Sequence, residues 1–459
     1  MTIRYEGIAT QSLRRSPRGE DICKVISASL NAADAGNAVK RHILRDAEWL
    51  ITNRQNVDLT KFKRVFVVGA GKASVPMAHA IYAILGDRIT SGLIITKDGY
   101  LDSVKYPTDT RLIVIEASHP IPDQRNLDAA ALLVIMTSDL HRDDLVIFLL
   151  SGGGSSLLTN PLPGISMQDL QTTTTLLLRS GASISVINTV RKHLDALKGG
   201  GFAKILYPAT VLSLILSDVV GDNLDVIASG PTVGDPTTFD DAWAILEKYQ
   251  ILDHIPPPIL SYISAGITGS NPETVKPGDP ILSEVSNIIV GNNFDAAMCA
   301  ADTAKQLGFH TRLLTTSLQG EAFQMGKILS AEAKALLFSP TNMSRPACLI
   351  AGGETTVTIK GPGMGGRNQE LALGAVRNLS GTEPWILASL ATDGGDGPTD
   401  AAGAVATHDT YSRGLALGLD PHDYLLRNDS YHYFDPLGDL IKTGPTLTNV
   451  NDLVFMFGV

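Results

Sequence analysis

The chain has 459 residues, 44% of them hydrophobic and 18% charged, with a formal net charge of −10. This is globular composition, not that of a disordered chain, and the acidic balance argues against a nucleic-acid partner, which needs clustered Lys and Arg to displace counterions. No apolar run reaches about 18 residues without a charge or turn, so no spanning helix is expected. Cys23, Cys299 and Cys348 lie far apart and read as reduced thiols of a cytoplasmic protein.

The N-terminal "MTIRYEGIATQSLRRSPRGED" lacks an apolar signal core, and Glu6, Glu20 and Asp21 weaken a transit-peptide reading of "LRRSPR". The first strong element is the strand "RVFVVG" (64–69), which runs into "AGKAS". Gly69 and Gly71 can take positive φ and let a ligand approach the backbone. Ser74 is the expected N-cap of the next helix, with Pro76 in its first turn, and Lys72 stands where free N–H groups would face an anion. Neither standard fingerprint is complete. A Walker loop needs GxxxxGK[ST], and the dinucleotide GxGxxG has Ser74 in place of its third glycine. A tight turn with a solvated lysine is the competing reading.

"GLIITK" (92–97) is the next strand, with Asp98 near the spacing of a ribose-binding acid. "RLIVIEA" (111–117) follows and leads into "HPIPDQ", where His119 and Asp123 are substrate-side candidates. The strand "DLVIFLL" (144–150) then meets Ser151, Gly152, Gly153, Gly154, Ser155 and Ser156. Successive glycines cost chain entropy and suit a backbone that wraps a phosphate, although a plain surface turn would also accept them. After "TVLSLILS" (210–217), Asp218 and Asp222 stand four apart at a strand end, suited to Mg²⁺ or to a hydroxyl proton. Loop capping is their alternative role, and the expected one for Asp225. Helices are expected over 76–85, 127–136, 167–179 and 184–197, so this half reads as a parallel sheet covered on both faces.

Residues 254–282 hold much of the local Pro and Gly and read as a linker. Alternation then restarts with strands at 287–292, 310–316, 347–359, 384–392 and 452–457 and helices over 295–307 and 321–337. In "GGETTVTIKGPGMGGRNQELAL", Glu354 follows a Gly pair and Arg367 opens a helix as a planar anion clamp. "ATDGGDGPTDAAG" gathers Asp393, Asp396 and Asp400, for metal or hydroxyl binding or, for Asp400 above all, for capping. Two α/β domains are expected, 1–265 and 266–459.

Together, "VVGAGKAS", "HPIPDQ", "SGGGSSLL", "NTVRKHLDALKGG", "SDVVGDNLDVIASGPT", "GGETTVTIKGPGMGGRNQELAL", "ATDGGDGPTDAAGA" and "TGPTLTNVNDL" resemble the class II glycerate kinases, the glycerate 2-kinase family with a C-terminal MOFRL domain. The match spans roughly residues 60–457 in the family's order; Leu447 departs from it, where a smaller residue is expected. The resemblance implies a Rossmann-like α/β/α domain, a smaller α/β MOFRL domain and an active-site cleft between them. It also implies ATP-dependent phosphorylation of D-glycerate at the 2-hydroxyl, giving 2-phospho-D-glycerate and ADP.

Carried onto this chain, Lys72, Asp218 and Arg367 are the expected charged catalytic residues, joined by Asp393. Lys72 would neutralise the transferring group, Arg367 would grip a carboxylate or the γ-phosphate, and Asp218 or Asp393 would orient the hydroxyl. Gly69, Gly71, Ser151, Gly152, Gly153, Gly154, Ser155, Ser156 and Glu354 would hold ATP, with Asp222 or Asp396 near Mg²⁺. Domain closure would exclude water, and a homodimer is one option for assembly. Two rivals stand beside this reading: an NAD(P)-dependent hydroxypyruvate reductase, and a non-enzymatic sugar-phosphate- or nucleotide-sensing module.

Overall fold

A computed structural model describes residues 5–100, 111–338, 344–381 and 383–459. Two compact units result, one of residues 38–290 and one that joins 1–37 to 291–459. This division differs from a single boundary near 265.

The unit 38–290 opens with a small antiparallel sheet of β1 (Ile43–Asp46), β2 (Trp49–Thr52) and β3 (Asn56–Asp58). Its main sheet contains β4 (Arg64–Ala70), β5 (Ser91–Lys97), β6 (Leu112–Ala117), β7 (Asp144–Leu150), β8 (Thr210–Leu216) and β9 (Val285–Gly291) in the order β6-β5-β4-β7-β8-β9. The pairings from β6 across to β8 are parallel. In chain terms this is the doubly wound order of the Rossmann fold. Every residue of β7 is buried, as a strand covered on both faces requires. Phe148 meets Phe202 edge to face at a centroid distance of 4.9 Å, and a fully buried ring of this kind contributes about 1.5–3 kcal/mol.

The expected linker is folded. Pro257 starts a helix, Pro257–Ile267, as its missing N–H allows, and Ile255, Ile259 and Ile263 are buried in a core with Phe239 and Leu246. Since β9 supplies the sixth strand of the sheet, residues 266–290 belong with this unit.

The other unit is built on β10 (His310–Leu318), β11 (Ala347–Gly353), β12 (Trp385–Ala391), β13 (Gly403–Thr407), β14 (Leu440–Ile441) and β15 (Asp452–Gly458) in the order β10-β11-β15-β12-β13-β14. β10 and β11 run parallel, and the other pairs are antiparallel. The helix Gly19–Ala33 packs on the helix Asn293–Gln306, and Ser12 donates through N and Oγ to the buried Asp439 carboxylate at 2.9 and 2.7 Å. These contacts carry the N-terminal segment into this unit, including the "LRRSPR" stretch but not residues 1–4, which lie outside the described part.

Candidate active site

Register places the first two glycine loops together. Ala70 pairs with Leu150 across β4 and β7, so the turns after these strands emerge side by side where the strand order reverses, the usual ligand position in such sheets. Lys72 N donates to Gly152 O at 2.9 Å, and Ala73 N to Ser151 Oγ at 2.9 Å. Gly71 has φ +134°, and a Cβ there would lie 2.6 Å from Ser151 O. Only glycine fits at that crossing.

Three side chains gather on the second loop. A Cβ built on Gly152 would fall 2.0 Å from Asp218 Oδ2, and one on Gly153 would fall 2.9 Å from His119 Cδ2 and 3.4 Å from Lys72 Cγ. Lys72, His119 and Asp218 therefore surround the Gly152–Gly153 turn from three different strand ends. Burial, then the charges of Lys72 and Lys97, lowers the His119 imidazole to about 4, so it is neutral at pH 7 beside the lysine ammonium.

Other expected contacts take different roles. Gly69 lies inside β4, where a Cβ would meet Leu149 O at 2.8 Å, so it serves close strand packing. The helix Ser74–Leu85 has Ala73 at its N-cap, and the buried Ser74 Oγ donates back to Gly71 O at 2.7 Å. Ser151 holds the two loops together through its bond from Ala73, Gly154 packs on Ala228, and Ser156 Oγ donates to Gly153 O at 3.1 Å. Ser155 faces Ser229 at 2.9 Å; as Ser229 donates to Asn188 Oδ1 at 3.2 Å, the Ser155 hydroxyl is the donor.

The segment after β8 is strained. Asp222, Ala228 and Ser229 all adopt positive φ, at 56°, 49° and 64°, a conformation uncommon for non-glycine residues, though more readily taken by Asp. Asp225 pairs with Lys192 Nζ at 3.4 Å and caps no helix. Asp123 closes a capping box on the helix Gln124–Met136 and shares Arg125 with Asp98, whose bonds to the guanidinium measure 2.5 and 2.9 Å. Asp98 therefore sits at the C-terminal end of β5, where a ribose acid would stand, but in an ion pair.

The unit 1–37 with 291–459 holds a separate cluster at its strand ends. Arg367 binds Asp452 through Nε at 2.6 Å and Nη2 at 3.0 Å, and Glu354 through Nη1 at 2.8 Å. Among the described residues this uses three of its roughly five N–H donors. Burial would lower the Arg367 pKa, but Asp452 and then Glu354 raise it, while burial pushes Asp452 up to about 6 against the pull of Arg367. Asp396 accepts from Asn368 N at 3.0 Å and Gln369 N at 2.9 Å, so both its oxygens cap the helix Arg367–Leu379. Asp393 Oδ1 accepts from Gly395 N at 3.0 Å. Asp400 is exposed and holds Tyr431 and Lys442 at 2.8 and 3.1 Å, not a helix end. Leu447, where the resemblance implies a smaller residue, has φ +58°, a backbone conformation that glycine holds at less cost.

The Mg²⁺ expectation meets a thin donor set. Among the described residues no three His, Cys, Asp or Glu side chains are grouped to hold a metal. Mg²⁺ takes one or two carboxylates with phosphates and water, so Asp218 and Asp222 suffice chemically if a nucleotide supplies the rest.

Comparison with known proteins agrees with this architecture. Residues 21–264 match a family described as a domain of unknown function, DUF4147, and residues 347–452 match the MOFRL family. The D-glycerate 2-kinase of Thermotoga maritima is 44% identical over 85% of this chain and 90% of its own. The chain belongs to the glycerate kinase family with a C-terminal MOFRL domain. The crystal structure of glycerate kinase from Thermotoga maritima superposes with a TM-score of 0.84 at 42% identity, covering 96% of this chain and 99% of that one. A relative from Agrobacterium vitis, provisionally named a hydroxypyruvate reductase, is 41% identical over 85% of this chain and 86% of its own. The DUF4147 match ends beside residue 265, whereas the compact units divide at 37/38 and 290/291.

Residues missed in the sequence include Asp452, the buried partner of Arg367, and Arg191, Lys192 and Lys198 of "NTVRKHLDALKGG". That cationic run in an acidic chain was the available signal.

Proposed function

We propose that the chain transfers the γ-phosphoryl group of ATP to the 2-hydroxyl of D-glycerate, releasing 2-phospho-D-glycerate and ADP. One observation carries the reading: Lys72, His119 and Asp218 surround the Gly152–Gly153 turn at the reversal point of a doubly wound sheet, in a chain of the glycerate kinase family. Phosphoryl transfer asks a protein for position and charge more than for covalent chemistry.

In this reading the Gly152–Gly153 backbone and Ser155 contact the nucleotide phosphates, and Lys72 neutralises charge that grows on the transferring group. Asp218 accepts the proton of the attacking hydroxyl. Neutral His119 offers a hydrogen bond without competing for the phosphates as a second cation. Asp222 would hold Mg²⁺, which would supply charge neutralisation of the phosphate oxygens.

Incubation with ATP, Mg²⁺ and D-glycerate, read by phosphorus NMR, tests the claim through the position of the new phosphate ester. Lys72→Ala is expected to lower kcat by roughly 10²–10³, as loss of one preorganised charge contact does, with an unchanged Tm. Turnover near wild type would remove Lys72 from the mechanism. The reductase reading draws on the Agrobacterium vitis relative and on the position of Asp98. Oxidation of NADH with hydroxypyruvate would favour it.

A further inference from the structure

A cavity of about 360 Å³ lies within the unit 38–290, lined by Pro120, Ile121, Leu170, Gln171, Thr174 and Arg191, among others, with Asp195 and Lys198 at its wall. Its volume is that of a small-ligand site. Gln171 Nε2 donates to Pro122 O at 2.7 Å, which ties the helix Met167–Arg179 to the loop carrying His119.

The charges on its wall do not balance. Lys198, fully buried, takes Asp195 Oδ2 at 2.6 Å and Leu158 O at 2.8 Å. Asp195 also accepts from Asn160 N and Leu197 N, so its oxygens are committed. The Arg191 guanidinium makes one hydrogen bond, to Ser155 O at 2.9 Å, and no carboxylate ion pair among the described residues. Two cations thus share one acid at the edge of an open volume. Burial accordingly lowers both: the guanidinium below its usual range, and the lysine to about 8. A desolvated guanidinium with no carboxylate in direct contact is costly, although the nearby Asp195 charge offsets part of it, and its planar fork matches a carboxylate's two oxygens.

We propose that this cavity is the subsite for the carboxylate of the hydroxy-acid substrate, with Arg191 as the residue that grips it. The inference rests on the kinase reading above. One surplus positive charge suits a monoanionic carboxylate better than a polyphosphate. The bond from Arg191 to Ser155 fixes that carboxylate relative to the glycine loop, and Pro120 on the cavity wall is the neighbour of His119, which lies over Gly153. A small acid held at one end here would reach toward Lys72 and Asp218 with its hydroxyl.

The test titrates D-glycerate into the full chain by calorimetry, with Mg²⁺ and a non-hydrolysable ATP analogue present. Arg191→Gln removes the charged fork and leaves a shorter, neutral polar side chain. Thr174→Trp fills the cavity from a partly exposed helix position and guards against a purely structural effect of the first change. Both are expected to weaken D-glycerate binding, Arg191→Gln by roughly 30-fold or more as for a buried charge contact, with affinity for the ATP analogue unchanged. Unchanged D-glycerate affinity in both variants overturns the proposal, as does loss of analogue affinity alone, which would make the cavity a nucleotide site. Wild-type binding of D-glycerate without turnover would strike the kinase reading while leaving the carboxylate subsite standing.

Discussion

Glycines 152 and 71 sit in adjacent loops and should respond to alanine in opposite ways. Gly152 has no positive φ, and the atoms nearest its added methyl are those of the Asp218 carboxylate, a side chain rather than backbone. Gly152→Ala should therefore keep its Tm while kcat collapses through displacement of Asp218. Gly71→Ala combines φ +134° with backbone contact to Ser151, and should lose stability by about 1–3 kcal/mol; paired thermal melts and kinetics separate the two. His119 gives a pH signature. Its imidazole titrates near 4 when folded against 6.5 otherwise. Above pH 6.5 neither state binds the proton, and the stability is complete. Between about 6.5 and about 4 only the unfolded chain takes it up, so stability falls as pH drops. Urea unfolding at pH 7 and pH 4.5 should show a smaller acid loss in His119→Gln than in wild type. In Lys72→Ala the His119 titration, followed by NMR, should move upward.

At the level of elements, the helix Arg367–Leu379 depends on a cap from outside itself. Asp396→Ala should cost about 2 kcal/mol in denaturant unfolding, through the lost cap and the orphaned N–H groups, and Asp396→Asn should recover only part of it, because its single oxygen can accept from one of the two N–H groups. The sequence was most legible at this scale. Strands such as "DLVIFLL" are nearly continuous apolar runs that no helix would use as efficiently, and the Gly-rich turns after them marked loops that lie beside Lys72 and Asp218. The short strands β1–β3, β13 and β14 escaped because so few residues establish no period. Pro-rich 254–282 misled because proline at a helix start and proline in a linker look alike until the burial of Ile259 and Ile263 is known. Arg191 was illegible for another reason: its meaning lies in a missing counter-charge, which is a tertiary fact. Asp452 and Asp396 were likewise defined by partners 85 and 28 residues away.

On the scale of the whole molecule, the two units differ in how they are cut from the chain. Residues 38–290 are contiguous and hold their own sheet and core, so this fragment should fold alone with cooperative urea unfolding. A fragment of 291–459 lacks the helix Gly19–Ala33 that covers Asn293–Gln306 and the Ser12 bonds to Asp439. It should aggregate or unfold at markedly lower urea, and addition of a peptide of residues 5–37 should raise its midpoint. The same connectivity governs birth on the ribosome. The leading residues emerge first but find their seat only after all of 38–290 has been translated, a delay of roughly 15–50 s at bacterial-to-eukaryotic elongation rates. For that interval the nascent helix Gly19–Ala33, with buried positions such as Ile22, Val25, Ile26 and Leu30, is an apolar face without its cover and a natural client for a chaperone.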